Sequence, residues 1–216
     1  MQKKFKLVMV LALVCFAAAP AFAADTKFGA EVFGAFNSYS MSDVNDHQIK
    51  ELNDSQNTNF NDVTSGLTGG INARMWANQR WMFSAGWEPL FLETKSDATS
   101  EKWNLDANAF TVNGTYFFPS KKPTSKYGIG AGVGYYSLGG EFSDPSGTTK
   151  VEGSGPGFQF SGVGEWTMSP GFAVTGSAGY RVASIEVDQS NPKSNADYSG
   201  FTGRLGLAFY LPQSSK

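Results

Sequence analysis

Six charged residues of this 216-residue chain are spaced so that they could share one interior and perform acid–base chemistry. They are Glu31, Arg74, Glu88, Glu165, Arg181 and Arg204. Paired carboxylates serve as the acid and base of glycoside hydrolases, so a glycosidase is one interpretation. Arginine's planar fork suits a carboxylate bidentately, and equal numbers of the two signs favour mutual pairing in a confined space. We interpret the six as structural ion pairs and keep the glycosidase as the alternative.

The sequence contains only weak signals for any other catalytic site or for a metal site. The only histidine, His47, lies in the long polar stretch 42–65, where a lone histidine is typically solvated. No predicted strand supplies a serine, a histidine and an acid together, the set that hydrolytic triads need. Four acids of this stretch are candidate weak calcium ligands: Asp43, Asp46, Glu51 and Asp54. They lack the turn glycine of an EF-hand loop, so we expect no enzyme activity, no cofactor and no metal site.

The stretch 198–211 shows most clearly which elements position the charges. Every second residue is apolar or glycine: Phe201, Gly203, Leu205, Leu207, Phe209 and Leu211. The residues between them are small or polar-tipped: Thr202, Arg204, Gly206, Ala208 and Tyr210. A period of two predicts a strand with one apolar and one mixed face. An arginine on the mixed face suits a strand with lipid outside and a polar lumen inside.

The alternation recurs in eight segments. They span 27–41, 66–76, 80–92, 103–118, 127–138, 158–168, 171–187 and 198–211. Long polar connections at 42–65, 93–102, 143–155 and 188–197 alternate with short ones at 77–79, 119–126 and 169–170. This asymmetry is typical of an up-and-down transmembrane barrel with long outer loops and short periplasmic turns. We predict an all-β, eight-stranded antiparallel barrel, with a short helix at 43–52 capped by Ser42.

Two segments change phase. In the fourth, Leu105, Ala107 and Ala109 are apolar on the parity opposite to Phe110, which predicts a bulge near Ala109. In the seventh, the parity slips past Ala183. We expect both strands to remain in the barrel wall.

The barrel interior needs filling. The fifth segment has glycine at four successive inward positions: Gly128, Gly130, Gly132 and Gly134. Their missing side chains leave space for arginines and for rings such as Phe33, Trp76 and Tyr136. A dinucleotide-binding loop has a different glycine spacing and precedes a helix. We interpret the row as a packing signal.

Aromatic residues beside the short turns all share the outward parity. They are Trp81, Phe118, Tyr127, Trp166, Phe172 and Phe209. Such a set predicts an aromatic girdle at one membrane interface. A soluble lipocalin-like barrel or a β-sandwich is the alternative, but the opposite face carries the six charges, and this favours lipid outside.

The start of the chain predicts export. Lysines 3, 4 and 6 precede the apolar run 7–19, and Ala21, Phe22 and Ala23 form a small-x-small cleavage site. We predict a signal peptide at 1–23 and a barrel domain at 24–216; a lipoprotein anchored at Cys15 is the alternative. Without the three leader lysines, 14 basic residues stand against 19 acidic ones, a formal charge of −5 that argues against nucleic acid as a partner. The remaining chain has neither cysteine nor an apolar run long enough for a membrane helix.

The chain resembles the small eight-stranded outer-membrane barrels of Gram-negative bacteria, the OmpA/OmpX-type superfamily, over the whole of 24–216. The most specific local match is an insertion signal of the form polar-x-Gly-x-x-apolar-x-apolar, carried here by Arg204, Gly206, Phe209 and Leu211. The resemblance implies assembly by the barrel-assembly machinery, which recognises this strand. The family's final residue is usually aromatic, whereas residues 212–216 follow here.

Proteins of this superfamily include structural proteins, adhesins, small pores and a few lipid enzymes. By resemblance we expect a monomeric, non-enzymatic outer-membrane barrel with a structural or cell-surface role, in contact with outer-membrane lipids. A porin-like channel for small solutes is the alternative. A lipid-modifying enzyme is a third interpretation, disfavoured by the missing triad.

Overall fold

The computed structural model of the chain describes residues 26–42, 44–50, 53–54, 59–96, 102–122, 124–144, 147–187 and 195–212. The predicted signal peptide lies outside the described residues, as do Asp43, Glu51 and the ends of the predicted helix 43–52. The strands are β1 Lys27–Ser38, β2 Ser65–Trp76, β3 Trp81–Leu90, β4 Glu93–Lys95, β5 Lys102–Phe117, β6 Ser125–Asp144, β7 Gly147–Ser169, β8 Phe172–Val187, β9 Asn195–Asp197 and β10 Gly200–Tyr210.

The strands close into a barrel. Neighbouring strands pair antiparallel in chain order, and β10 pairs with both β8 and β1. β4 continues the register of β3 on β5, and β9 continues that of β10 on β8. Each therefore extends a neighbouring strand, and the wall has eight strands. The predicted eight-stranded, up-and-down antiparallel barrel is confirmed.

The stagger of the strands sets the width of the barrel. We trace the residues that pair side by side from strand to strand, beginning at Lys27. After one circuit of the barrel the trace returns to β1 at Asn37, ten residues further along the strand. In eight-stranded barrels the strands tilt by roughly 35–45°, and the interior is just wide enough for side chains to fill. The first and last described residues lie on the side of the barrel that carries the short turns. We call this side the terminal end. The long connections lie at the other, the loop end.

The loop end contains more strand than predicted, since β4 lies within the predicted loop 93–102 and β9 within the predicted loop 188–197. The predicted loop 143–155 is mostly strand, since β6 and β7 pair from Trp166 opposite Ser125 up to Asp144 opposite Gly147. The pairing of β7 with β8 stops at Gly153, so the β6–β7 hairpin rises above the rest of the wall. The predicted helix is a six-residue π-helix, Val44–Ile49, which includes His47. Among the described residues, no helix has the length and apolar character needed to cross a bilayer.

The predicted bulge near Ala109 is wrong. β5 keeps unbroken register through this point, with Glu88 of β3 and Tyr136 of β6 opposite Ala109. Ala107 and Ala109 are buried inside the barrel, and the side chain of Leu105 lies outside the described part of the structure. The register shift that the structure has in this wall lies between Thr167 and Ser169 of β7.

The predicted slip past Ala183 is also wrong. β8 keeps one register against β10 and β9, and Ala183 and Ile185 are buried inside on the same parity as Arg181. Both apparent slips have one cause, because the interior changes from polar to apolar towards the loop end. A wall in lipid carries apolar side chains outside, whereas a wall in water carries them inside. The inversion marks the height at which the surroundings of the wall change.

Candidate functional site in the barrel interior

The outer face of the barrel is apolar over most of its height. Exposed apolar side chains include Val32, Phe36, Leu67, Ile71, Ile129, Val133, Phe158, Phe160, Leu205 and Leu207. Leu67 and Leu205 expose 78% and 73% of their surface. A continuous apolar patch of this extent marks an interaction surface. Combined with a polar interior, it matches a barrel wall that faces lipid.

The six predicted girdle residues lie around the terminal end. Trp81 packs against Tyr116 with ring centroids 5.2 Å apart, and Phe172 packs against Phe209 at 5.3 Å. Trp166 donates its indole N–H to the hydroxyl of Tyr127 at 3.2 Å. The tryptophan and tyrosine rings combine an apolar body with a polar tip, as residues at a membrane–water interface do.

The lower ionic cluster lies inside the barrel near the terminal end. Arg74 is paired with Glu165 at 2.8 Å and with Glu31 at 3.6 Å. Tyr210 donates its hydroxyl hydrogen to Glu165 at 2.7 Å, and Thr175 donates to Glu31. The second oxygen of Glu31 accepts from the side-chain amide of Asn72 at 2.6 Å. Two carboxylates thus share one guanidinium, and neutral donors add further hydrogen bonds to both.

The upper ionic cluster lies closer to the loop end and has the opposite composition. Glu88 accepts from Arg181 at 2.7 Å and from Arg204 at 2.6 Å. Its other oxygen accepts from Asn37 and Thr68, each at 2.9 Å. Here one carboxylate serves two guanidiniums. The lower cluster therefore has one excess negative charge and the upper cluster one excess positive charge.

A cavity of about 60 Å³ lies between the two clusters. Its lining includes Glu31 and Arg74 of the lower cluster and Arg204 of the upper one. The Nε groups of Arg74 and Arg204 make no hydrogen bond to any described residue. A polar space of this volume has room for only a few water molecules.

Apolar layers lie on both sides of the ionic clusters. The floor at the terminal end consists of Trp76, Met82, Phe117, Ala173, Ala208 and Tyr210. Lys126 stacks on the ring of Trp76 at 3.8 Å, and Lys27 on the ring of Tyr210 at 4.3 Å. These contacts place two cations over the aromatic floor.

The layer at the loop end forms a cap core. Residues from the first long connection, Met41, Val44, Ile49, Phe60 and Val63, pack with wall residues Leu90, Ala109, Tyr136, Leu138 and Ile185. Backbone bonds from Ser40 to Ser199 and from Met41 to Asp197 fix this connection to the wall. Burial raises the pKa of Tyr39 and of Tyr198 in this layer, so both hydroxyls stay protonated. The cap is packed like the core of a soluble protein.

The predicted ring fillers and the glycine row meet in the interior. Phe33, Trp76 and Tyr136 are all buried. A Cβ on Gly134 of β6 would lie 3.0 Å from the Tyr136 ring, and one on Gly157 of β7 would lie 2.6 Å from it. Glycine at these two positions therefore makes room for the ring.

The residues of the predicted insertion signal lie on both faces of β10. Phe209 and Leu211 are exposed on the outer face, whereas Arg204 and Gly206 face the lumen. The geometry is that of an ordinary wall strand, and recognition by an assembly machinery stays a prediction. Among the described residues, no group of three or more acidic, histidine or cysteine side chains is arranged to hold a metal ion.

Some interior residues were not singled out from the sequence. Asn37 and Thr68 bind Glu88, and Tyr210 links Glu165 to the indole of Trp76, whose N–H it accepts at 3.0 Å. Each has the inward parity of its strand, which was the available signal. Parity does not tell which strand lies across the lumen, so the partner of each residue was not predictable.

Comparison with solved structures identifies the fold. OprG from Pseudomonas aeruginosa aligns with a TM-score of 0.60 and 8% identity, over 88% of this chain and 97% of that chain. A major outer membrane protein from Thermus thermophilus aligns with a TM-score of 0.56 and 13% identity, over 86% and 99%. Ail of Yersinia pestis, in complex with the heparin analogue sucrose octasulfate, aligns with a TM-score of 0.52 and 9% identity, over 87% and 99%. No protein-family model and no curated protein matches the sequence.

Proposed function

We propose that this chain, which has the fold of the small eight-stranded outer-membrane barrels, is an integral outer-membrane protein with a non-enzymatic structural or cell-surface role. The inverted arrangement of polarity carries the proposal. Arg74, Glu88 and Arg181 expose 1–2% of their surface inside the barrel, while Leu67 and Leu205 are largely exposed outside. That arrangement is stable only where lipid surrounds the wall, because charges are costly in an apolar core and large apolar patches are costly in water.

The same burial argues against an enzyme in the lumen. Glu88 and Glu165 expose 2% and 3% of their surface, and each is bonded to an arginine. A glycosidase acid must reach the glycosidic oxygen of a sugar, and neither carboxylate is accessible to one. The same clusters argue against a solute channel, because the 60 Å³ cavity between them is too small for a sugar.

The charge of the loop end bears on a surface role. The ranges 39–64, 91–109, 137–157 and 183–200 contain fifteen acidic and five basic residues, a formal excess of ten negative charges. Ail has been crystallised with a heparin analogue, which is a polyanion. Like charges repel across an interface, so a polyanionic ligand of that kind does not suit this loop end. A neutral or cationic ligand does.

Cell fractionation tests the proposal. We expect the protein in the outer-membrane fraction, with protease added to intact cells cutting within 42–65 and leaving a membrane-protected core. Folded protein in detergent should migrate faster on a gel than boiled protein. Recovery in the soluble periplasmic fraction would contradict the proposal. We further expect a monomer that is inserted by the barrel-assembly machinery.

A further inference from the structure

At the terminal end of the barrel, the charged side chains that reach the surface are all positive among the described residues. They are those of Lys27, Arg80, Lys121, Lys122 and Lys126. The described residues of the three short turns contain no aspartate or glutamate, and Glu165, on the nearby part of β7, is buried and bonded inside the barrel. This end is thus opposite in sign to the loop end.

Two of the five cations are already engaged at the barrel mouth. Lys27 donates to the carbonyl of Pro170 at 2.8 Å and stacks on Tyr210, and Lys126 stacks on Trp76. The other three, Arg80, Lys121 and Lys122, are exposed on the turns. We call these three residues the turn cations.

The turn cations lie at the depth of the aromatic girdle. Arg80 immediately precedes Trp81, and its guanidinium lies 3.5 Å from the hydroxyl of Tyr116. The side chain of Asn78 accepts from the backbone N–H groups of Arg80 and Trp81, which fixes this turn. The girdle rings mark the headgroup level of a bilayer, so the guanidinium of Arg80 lies beside it.

The second turn presents two lysines in a fixed loop. Phe118 belongs to the girdle, and Lys121 and Lys122 follow it after two residues. The Ser120 hydroxyl bonds the backbone N–H and carbonyl of Lys122, each at 3.1 Å, which holds this loop closed. The backbone of this loop therefore holds both lysines next to the girdle.

We propose that the turn cations bind the phosphate groups of anionic phospholipids in the leaflet at the terminal end. This inference rests on the proposed membrane location. Basic residues next to a membrane-spanning segment attract anionic lipid headgroups, and arginine binds phosphate through its planar fork. The girdle rings supply apolar surface for the acyl chains of the same lipid, so one lipid contacts both. A free phosphate ion would contact the cations alone.

Native mass spectrometry of the refolded protein tests this binding. The protein is released from micelles that contain equal amounts of phosphatidylglycerol and phosphatidylcholine, and the retained lipids are counted. We expect wild type to retain phosphatidylglycerol several-fold over phosphatidylcholine. The triple variant Arg80→Gln, Lys121→Gln, Lys122→Gln should lose most of this preference. Lys150→Gln, at an exposed lysine of the loop end, is the matched control and should retain it.

Three results would overturn the inference. They are equal retention of the two lipids by wild type, an unchanged preference in the triple variant, and an equal loss in Lys150→Gln. A preference that disappears in excess inorganic phosphate would replace the lipid site with a site for free phosphate. Gel migration of the same samples separates this inference from the proposed function. A folded, heat-modifiable barrel without lipid preference contradicts only the inference, whereas failure to fold in any micelle contradicts the proposed function.

Discussion

At the scale of residues, the interior divides its charges unequally. Within the described part of the chain, Glu31 and Glu165 both contact Arg74 and no other arginine, whereas Glu88 has both Arg181 and Arg204. The sequence pattern predicts that removing Arg204 strands a glutamate. The structure differs, because Glu88 would keep its bond to Arg181. The arginine whose loss strands carboxylates is Arg74.

We predict that Arg74→Met destabilises the barrel far more than Arg204→Met. The first change removes the guanidinium that Glu31 and the buried Glu165 share, and breaking a buried pair in this way costs about 3–5 kcal/mol. The second leaves a balanced pair and should cost about 0.5–3 kcal/mol, the ordinary range for point changes. Urea unfolding of the refolded protein in lipid vesicles measures both. Equal losses would contradict the division into a negative lower and a positive upper cluster.

At the scale of elements, the face of a strand on which its large apolar residues lie indicates what surrounds the strand at that height. On β8, Tyr180 and Val182 point outward, while Ala183 and Ile185 are buried inside. The side on which large apolar residues lie therefore changes within three residues while the backbone register stays constant. In the proposed membrane location, the position of the change gives the height at which the lipid ends on that strand, on the side of the loop end.

We predict that this boundary separates two equivalent-looking positions of β8. Ala178 and Ser184 are both exposed on the outer face, six residues apart. A lysine at Ala178 faces lipid and should cost about 2–4 kcal/mol, as at a bilayer midplane. A lysine at Ser184 stands in water opposite Asp197 of β9 and should change stability by less than about 0.5 kcal/mol. Unfolding in lipid vesicles gives both values, and a costly Ser184→Lys would move the boundary towards the loop end.

At the scale of the whole molecule, the barrel stacks three layers. An aromatic floor lies at the terminal end, the ionic clusters lie in the middle, and the cap core lies at the loop end. The described residues of the first long connection pack with the wall as part of the cap core. This connection therefore both fills the lumen at the loop end and forms part of the surface there. A surface ligand at this end would meet the cap or the raised β6–β7 hairpin.

We predict that wild-type protein in planar bilayers shows little or rare conductance. The charges are paired, and the cavity between them is small. Arg204→Ala should raise the leak, because Arg204 lines that cavity and its loss enlarges it, while Glu88 keeps its bond to Arg181. Lys150→Gln, outside the lumen, serves as the control. Large, steady, ion-selective currents from wild type would favour the channel.

The sequence by itself determined that the wall has eight strands and on which face of it Arg74, Glu88 and Arg204 lie, but not how far the strands extend at the loop end. A period of two involves only neighbouring residues in sequence. The inward orientation of Arg74, Glu88 and Arg204 could therefore be predicted without knowledge of the tertiary structure. The girdle and the alternation of long and short connections were equally local. Together, these two patterns predicted a closed barrel in which both ends of the chain lie on the side of the short turns.

Only the tertiary structure decided which charges meet and at what height the interior changes from polar to apolar. Arg74 and Glu165 are 91 residues apart and pair across the lumen, at a distance set by the stagger of eight tilted strands. The change of phase at Ala109 and Ala183 reads as a bulge or slip when a strand is considered alone. It becomes a change of surroundings once the cap core fills the inside, because burial depends on what packs opposite a residue and not on its own neighbours in sequence.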